Sequence, residues 1–438
     1  MTTKDFDAFR RELWDQGARY DGSHPIPVSL TPYYFAAADY ERFSRDAQQV
    51  QEAIEVVARL YCEDAGIRAR FPELLDLQDY IRRTPASGRG IGLARFDYVK
   101  CDDGSLRLVE SNTDCPGGMA IAGIVHRAFR NSAFRDPQTQ ELPQVSEDPL
   151  SFVRLMQTLS GRSHPRVGFI WSRVNPIMND IQALHDTAAA IDGWPAPWIG
   201  PAQALEAAGD GTLLAGGAPL DFAFTKIDTT TAPDGRIHWC AWQDHIDEAR
   251  PLLEALASGK LRTVSGLPSM MVSESKRAIA LLFEPDVRAS FTEAQRDAVD
   301  RTVARTARLE AAPALRLWTP EQVYQQKDRF VLKTLIDTRG RGVHIGREHQ
   351  ADEWARLVKL AATGRMVVQE YLAPRMEWLE VEPGQRERMS TVVALYLYGG
   401  QPSGIFGRSS ASAVVNVGNG GVIRPALIVQ QVPRYVEA

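Results

Sequence analysis

The stretch between residues 91 and 114 constrains the fold of this chain more than any other. Ile91 to Lys100 and Leu106 to Ser111 both have the composition of β-strands, and Asp102-Asp103-Gly104 separates them. An Asp-Gly pair between two such runs is a strong signal for a hairpin. Because side chains alternate between the two faces of a strand, a hairpin dictates which polar residues can meet. The sequence therefore predicts an antiparallel strand pair here.

Polar side chains concentrate on that hairpin. Arg95 and Asp97 share one face of the first strand, and Glu110 and Asn112 share one face of the second. If pairing puts both faces on the same side, two carboxylates, an amide oxygen and a guanidinium converge. Such hard oxygen ligands suit Mg²⁺, which usually takes one or two carboxylates together with substrate phosphates. The residues alone leave open a second interpretation, a solvated sheet face with alternating charge.

The hairpin also carries an expectation about stability. Two carboxylates that lie close together without a metal repel each other. Replacing Glu110 by glutamine keeps the shape of the side chain but removes a charge that attracts Mg²⁺, so it should raise the magnesium requirement. The same change should leave the thermal stability of the metal-free protein unchanged or slightly higher.

A second polar element lies between Phe330 and Gly346. Lys333 falls inside an apolar strand, and Gly340-Arg341-Gly342 follows in a loop before another short strand. Glycines let backbone N–H groups approach phosphates, and the lysine adds a positive charge at a fixed position. The spacing matches neither a Walker A motif nor the dinucleotide fingerprint. A glycine-rich hairpin with a core lysine is the alternative, but a lysine in an apolar strand is costly without an anionic partner.

Three further segments are compatible with binding. Cys115-Pro-Gly-Gly-Met119 leads from the hairpin into a helix start, where backbone N–H groups can hold a carboxylate or phosphate, although a plain turn explains the same residues. Met366 to Leu372 is an apolar strand that could bind an adenine edge through its backbone, with Glu370 nearby. Thr391 to Tyr398 and the strand after it predict a hairpin that ends at Arg408, which on its own could equally be a surface residue.

The rest of the chain predicts an α/β (α+β) protein in three segments. Residues 1–150 combine a helical N-terminal region with the hairpin, residues 151–270 form an α/β unit, and residues 271–438 carry the lysine and glycine-loop region. Predicted helices outside the hairpin cover residues 39–64, 119–130, 177–191, 244–258, 275–283 and 292–310, predicted strands cover 167–171, 221–227, 329–335, 366–371 and 391–398, and 209–217 is a predicted loop.

Composition narrows the function classes. The 438 residues are 44% hydrophobic and 24% charged, with a net charge of -5, which is ordinary for a soluble globular protein and gives no electrostatic footprint for nucleic acid or a membrane surface. The N-terminus lacks the apolar core of a signal peptide, and no apolar run is long enough to cross a bilayer. The four cysteines form no CxxC pair, so a cytoplasmic location is expected. They are Cys62, Cys101, Cys115 and Cys240.

In this order the motifs resemble the synthetase domain of glutathionylspermidine synthase and related circularly permuted ATP-grasp ligases. The resemblance spans roughly residues 65–125 and 270–410. It departs from glutathione-using members at Cys115 and Gly117, where those have serines, and around Lys333, where a proline is missing and the loop is longer. The expectation of glutathione and spermidine as substrates is weakened accordingly. The residues that carry the resemblance are Arg95-Phe-Asp97, Glu110-Ser-Asn112-Thr-Asp114, Lys333 with Gly340-Arg-Gly342, Gln369-Glu370 and Gly404-Ile-Phe-Gly-Arg408.

The resemblance implies a role for each matched position. The E-x-N element precedes the ATP lysine here, which is the permuted order, and the implied fold is an ATP-grasp fold with an additional α/β subdomain. The implied cofactors are ATP and Mg²⁺. The implied metal ligands are Asp97, Glu110 and Asn112, the implied catalytic residues are Arg95 and Arg408, and the implied ATP-binding residues are Lys276, Lys333, Gly340, Arg341, Gly342, Gln369, Glu370 and Leu372.

The predicted function is therefore an ATP-dependent carboxylate–amine ligase that forms an amide through an acyl-phosphate and releases ADP and phosphate. Its partners are small-molecule or peptide acids and amines, with no nucleic acid and no membrane. Two alternatives stay open: a natural-product ligase that uses a peptide as the amine, and a catalytically silent nucleotide-binding regulator. A silent relative should have lost Asp97, Glu110 or Asn112, and all three are present.

Overall fold

The computed structural model describes residues 2–20, 24–114, 116–171, 179–226, 229–231, 237–239, 249–337 and 340–433. Cys115 and Cys240 lie outside these ranges, as do residues 177–178, 227 and 244–248 of the predicted elements. The described chain is a mixed α/β structure with several sheets. Among the described helices, none is long and apolar enough to cross a membrane.

A six-stranded antiparallel sheet, called the central sheet below, contains the predicted hairpin. The hairpin strand Leu93–Lys100 pairs with the strand Gln385–Tyr398, so one sheet joins segments that are far apart in the sequence. Its path is Val422–Arg424, Gln401–Ser410, Gln385–Tyr398, Leu93–Lys100 and Leu106–Asn112, and Met376–Glu382 also pairs with Gln385–Tyr398.

The two faces of the central sheet have different partners because side chains alternate along each strand. Ala94, Phe96 and Tyr98 are buried in a hydrophobic core with the helix Ala37–Glu63. Arg95 and Asp97 therefore lie on the opposite face, away from that helix. The helix thus anchors the sheet from behind and leaves the polar face of the hairpin available.

A smaller antiparallel sheet, called the small sheet, carries Lys333. The helix Ala351–Ala362 packs on it through the fully buried Trp354, whose indole N–H donates to the Val323 carbonyl at 3.0 Å. The strands in spatial order are Thr306–Ala307, Met366–Glu370, Phe330–Thr334 and Val343–Ile345.

A four-stranded parallel sheet, called the parallel sheet, forms the middle of the chain. Its strands Val167–Trp171 and Phe222–Lys226 match the two apolar runs predicted there. Trp198–Pro201 and Arg262–Thr263 complete it at its two edges. The predicted division of the chain into three segments remains a prediction, although the central sheet joins strands from the first and the third.

The remaining elements surround these sheets. The amphipathic N-terminal helix Thr3–Asp15 buries Phe6, Phe9 and Leu13, as the sequence predicts. The other α-helices are Ala65–Arg68, Gln78–Arg83, Met119–Asn131, Leu150–Ser160, Asn179–Ala189, Arg250–Ala257, Lys276–Leu281, Pro285–Arg288, Glu293–Thr302 and Pro320–Gln325; the other strands are Arg19–Tyr20, His24–Pro25, Tyr33–Ala36, Glu141–Leu142, Leu205–Ala207, Leu213–Ala215, Ala218–Pro219, Thr229–Thr231, Ile237–Trp239 and Ala426–Val429.

Two predicted elements are wrong in extent. The long helix predicted over residues 292–310 ends at Thr302, because Val303 is extended and the Ala304 N–H donates to the Leu108 carbonyl at 2.9 Å. The hairpin thus captures the chain, which continues as a strand of the small sheet. The predicted loop at 209–217 contains the strand Leu213–Ala215, which pairs with Leu205–Ala207.

A buried ion network ties the small sheet to the helical N-terminal region. Arg277, whose side chain is 1% exposed, donates to Glu73 at 3.2 Å and also pairs with Glu310. A third contact runs from the same guanidinium to the Gly364 carbonyl at 2.5 Å. Burial raises the pKa of Glu73, although Arg277 opposes the shift. Glu73 thus depends on Arg277 to stay ionised.

Arg277→Ala should therefore lower the free energy of unfolding by about 3–5 kcal/mol, because it leaves the buried Glu73 carboxylate without its cation and Glu310 with only Arg308, 3.6 Å away. Urea denaturation followed by circular dichroism measures the loss. Arg301→Ala is the matched control: Arg301 is half-exposed and pairs with Asp46 at 2.8 Å, so its loss should stay below about 1 kcal/mol. Equal losses in the two variants would contradict a structural role for the network.

Candidate active site

A cavity of about 380 Å³ lies between the polar face of the central sheet and the small sheet. It gathers residues that are more than two hundred positions apart in sequence. Lys276 reaches the edge of this group through an ion pair with Glu110. Of the residues predicted from sequence, those that line the cavity are Arg95, Asp97, Glu110, Asn112, Lys333, Gly340, Gln369, Glu370, Leu372 and Arg408.

Asp97 is at the centre of the cavity floor. The hairpin register places it directly opposite Glu110, and Arg95 opposite Asn112, so all four side chains share one face. The Asp97 carboxylate accepts hydrogen bonds from Arg95 Nε at 2.9 Å, Arg408 at 2.7 Å and Asn112 at 3.2 Å. Burial opposes its ionisation, but Arg408 and Arg95 outweigh burial and hold the pKa of Asp97 below its ordinary value.

Glu110 pairs with Lys276, with 2.9 Å between the lysine Nζ and the carboxylate. Burial disfavours the charged form of Glu110, yet Lys276 keeps the pKa of Glu110 below its ordinary value and Glu110 keeps that of Lys276 above its own. The expectation that Asp97 and Glu110 simply repel each other is therefore wrong. Each carboxylate is held by cations, and Lys276 arrives from a helix that the hairpin alone does not reveal.

Lys333 lies close to the same carboxylates. Its Nζ donates to the Val109 carbonyl at 2.9 Å, and its side chain is buried. Burial lowers the pKa of Lys333 to about 8; the charge of Lys276 acts in the same direction, and Glu110 and Asp97 oppose it. A lysine in this position gains from any additional negative charge that enters the cavity.

The glycine loop is only partly in the cavity. Gly340 lines it, with a φ of 73°. At Gly342 the φ is 67°, and an added Cβ would lie 2.2 Å from the Thr334 hydroxyl, so only glycine fits. The side chain of Arg341 is 59% exposed and pairs with Asp337 at 3.3 Å, and Arg341 is absent from the described cavity lining. Residues 338 and 339 lie outside the described residues.

The strand Met366–Glu370 contributes a bridge between the two sheets. Gln369 donates to the Val109 carbonyl at 3.3 Å and to the Thr306 hydroxyl at 2.9 Å. The Glu370 carboxylate accepts from the Arg305 backbone N–H at 2.8 Å and from Arg107 at 3.2 Å. Its place at the cavity wall agrees with the predicted adenine edge, but that role remains a prediction.

The turn at Gly117 and Gly118 leads into the helix Met119–Asn131, as predicted, and a carboxylate does cap that helix start. The carboxylate belongs to the protein: Asp180 accepts from the N–H groups of Gly118 and Ala120, the second at 3.2 Å. Arg95 fixes the same turn by donating to the Gly117 carbonyl at 2.9 Å.

Sequence analysis missed five charged residues of the cavity, Arg19, Asp180, Lys226, Glu274 and Asp337. Glu274 accepts from the backbone N–H groups of Thr113 and Asp114 at 2.6 and 3.1 Å, and burial raises its pKa. Lys226 and Asp180 line the cavity from the parallel sheet side. Lys226 had a usable signal, since it ends a buried parallel strand, where ligands bind in α/β sheets. Glu274 and Asp180 line the cavity and accept hydrogen bonds from backbone N–H groups that are distant in sequence, and such contacts leave no pattern in sequence.

The charges immediately around Asp97 and Glu110 suit an anion with a bound cation. Four cationic side chains, Arg95, Lys276, Lys333 and Arg408, surround the two paired carboxylates. Arg408 Nε is buried and makes no hydrogen bond within the described part of the chain. The same described residues hold no group of three or more His, Cys, Asp or Glu side chains arranged for a metal. Two carboxylates and an amide nevertheless fit Mg²⁺ when phosphate oxygens complete its ligands.

Comparison with solved structures supports the fold. A glutathione synthetase-like effector from Globodera pallida, in its apo form, matches 97% of this chain and 96% of its own, with a TM-score of 0.61 at 14% sequence identity. A protein from Methylobacillus flagellatus assigned as a gamma-glutamylcysteine synthetase matches 78% of this chain and 84% of its own, with a TM-score of 0.37 at 12% identity. No protein-family model and no curated protein sequence matches the chain. The chain thus shares the fold of the first protein.

The ion pair between Glu110 and Lys276 makes a prediction opposite to the one from sequence. Glu110→Gln should lower the free energy of unfolding by about 1–3 kcal/mol, because it leaves Lys276 buried without a charged partner. Thermal and urea unfolding of the metal-free protein measure the effect. The double variant Glu110→Gln/Lys276→Met should recover most of the loss. A single variant as stable as the parent would restore the carboxylate-repulsion interpretation.

Proposed function

We propose that this protein is an ATP-dependent carboxylate–amine ligase with a circularly permuted ATP-grasp fold. It forms an amide through an acyl-phosphate and releases ADP and phosphate. One observation carries the proposal: Asp97, Glu110 and Lys333 line one cavity, and Lys276 pairs with Glu110 at its edge. Carboxylates that can share Mg²⁺ and lysines that can neutralise phosphates are what phosphoryl transfer requires.

The connectivity of the central sheet supports the permuted order. Residues 93–112 pair with residues 385–398, while the lysine-bearing small sheet is inserted between them in sequence. A chain that began at the small sheet and ended after the hairpin would have the unpermuted order of motifs.

The proposed mechanism assigns a task to each side chain. Asp97, Glu110 and Asn112 would hold Mg²⁺, which when bound would supply positive charge to offset that of the phosphates. Lys276 leaves Glu110, Lys333 leaves the Val109 carbonyl, and both lysines bind the phosphates instead. Arg95 and Arg408, which already lie against Asp97, hold the substrate carboxylate beside the γ-phosphate. A carboxylate oxygen attacks that phosphorus and ADP leaves; an amine then displaces phosphate and loses a proton.

Water must be kept from the acyl-phosphate until the amine arrives. Gly340 lines the same cavity as the carboxylates, just before the strand Val343–Ile345, and this glycine-rich turn is suited to that task. Its glycines allow a tight backbone approach, and the Thr334 N–H already fixes its end by donating to the Gly342 carbonyl at 2.9 Å.

One of the two alternatives, the silent regulator, is distinguishable on the residues. A silent regulator would have no need to keep Asp97, Glu110 and Asn112 together, and all three share one face here, which favours a catalyst. A peptide as the amine partner remains a second version of the same chemistry.

The nucleotide product is the first test. Cleavage between the β- and γ-phosphates should release ADP and phosphate in step with the amide. Anion-exchange chromatography of the reaction separates ADP from AMP. Formation of AMP and pyrophosphate would instead establish adenylation and end the proposed route.

Lys333 supplies a test that needs only nucleotide. Lys333→Ala should weaken MgATP binding by about 1.5–3 kcal/mol, because a charge-assisted contact is lost. Since the pKa of Lys333 is about 8 in the free protein, a phosphate beside it should raise that pKa, so binding takes up protons near pH 8 and weakens at higher pH.

Calorimetry in buffers with different ionisation enthalpies counts the protons. The control is Lys333→Arg, whose guanidinium stays charged over this range and should therefore bind MgATP without the uptake. Equal proton uptake by the parent and by Lys333→Arg would remove Lys333 from the nucleotide site.

A further inference from the structure

The charged floor of the cavity continues into an apolar wall on the same sheet face. Ala394 lies opposite Asp97 on one side and opposite Phe406 on the other, so all three point the same way. Two strand spacings separate the backbones of Asp97 and Phe406, which is about 10 Å. Ile423 extends the wall, since it pairs directly with Arg408.

Other elements close this end of the cavity with more hydrocarbon. Ile26, Ile121 and Val417 line it together with Phe406 and Ile423. The Phe406 ring packs on the helix start, where a Cβ added at Gly118 would lie 3.3 Å from it. The acidic residue nearby, Asp180, is engaged by the N–H groups of Gly118 and Ala120. This end therefore offers apolar surface beside Asp180 and Lys226, whose polar atoms would lie 3.5 and 3.8 Å from a Cβ added at Gly117.

A buried polar atom marks where the apolar wall begins. Arg408 stands between Asp97 and Ile423, and its Nε makes no hydrogen bond to any described residue. A buried donor of this kind favours the binding of a ligand that supplies a hydrogen-bond acceptor, because the donor is then satisfied. A carboxylate is the strongest acceptor that an arginine meets in proteins.

We propose that the acid activated here is a monocarboxylic acid with an aliphatic or aromatic body. Its carboxylate binds at Arg408, and its body lies against Phe406, Ile121 and Ile423. This inference rests on the proposed ligase function. A carboxylate oxygen bonds to the γ-phosphorus, the bond from that phosphorus to the β–γ bridging oxygen breaks, and ADP takes the electron pair.

Hydroxylamine trapping tests the choice of acid without knowledge of the natural amine. An acyl-phosphate reacts with hydroxylamine to a hydroxamate, which is detected as its coloured complex with Fe³⁺, and calorimetry with MgATP is run in parallel. The panel holds L-leucine, L-phenylalanine and octanoate against L-glutamate and glutathione. Hydroxamate from the apolar acids, at least about tenfold faster than from the polar ones, is the expected result. Hydroxamate from L-glutamate or glutathione alone overturns the inference and leaves the ligase standing.

Two further outcomes are separable. MgATP binding without hydroxamate from any apolar acid also overturns the inference, whereas failure to bind MgATP removes the proposed function itself. Phe406→Ala should raise the KM for the preferred apolar acid about tenfold or more, because it removes most of an aromatic contact, and should leave the KM for ATP within about twofold. Phe406→Leu keeps more of the side-chain volume, so its KM for the acid should lie between those of the parent and Phe406→Ala. An unchanged acid KM in Phe406→Ala would exclude the wall from substrate binding.

Discussion

The direct cross-strand pairing of Asp97 with Glu110 is the constraint on which the rest of the site depends. Two carboxylates that face each other on a partly covered sheet need cations, since buried charge is stable only when it is paired. The chain supplies Arg95 from the same strand, Arg408 from two strands away and Lys276 from a separate helix. Ion pairs, as well as hydrogen-bonded strands, thus hold distant segments of the chain together.

The fold makes that arrangement sustainable by treating the two faces of the same strands differently. The residues that alternate with Arg95 and Asp97 lie in the core beneath the helix Ala37–Glu63, so the strands cannot turn to relieve the charge. Behind Lys276, the next residue, Arg277, is locked into the network with Glu73 and Glu310. A lysine that pairs with Glu110 and an arginine that fixes the helix are therefore neighbours in sequence with separate tasks.

Much of this was accessible from the sequence where the signal is local. Alternating side chains and turn residues predict the hairpin and its polar face. Apolar runs predict the strand of Lys333 and two strands of the parallel sheet. The end of the helix at Thr302 was not, because the hairpin captures Ala304 through a long-range hydrogen bond that helix propensity cannot register. The partner of Glu110 was missed for the same reason: the hairpin pattern contains its carboxylates but none of the cations from helix 276–281.

The central claim is that one nucleotide spans the two sheets at these carboxylates and lysines. A crystal structure with Mn²⁺ and a non-hydrolysable ATP analogue tests it most directly, because Mn²⁺ can be located by its anomalous scattering. The account predicts an anomalous peak within ligand distance of Asp97 and Glu110, with the phosphates beside Lys276 and Lys333. A nucleotide bound elsewhere, with Lys276 still paired to Glu110 and no metal at the hairpin, would contradict it.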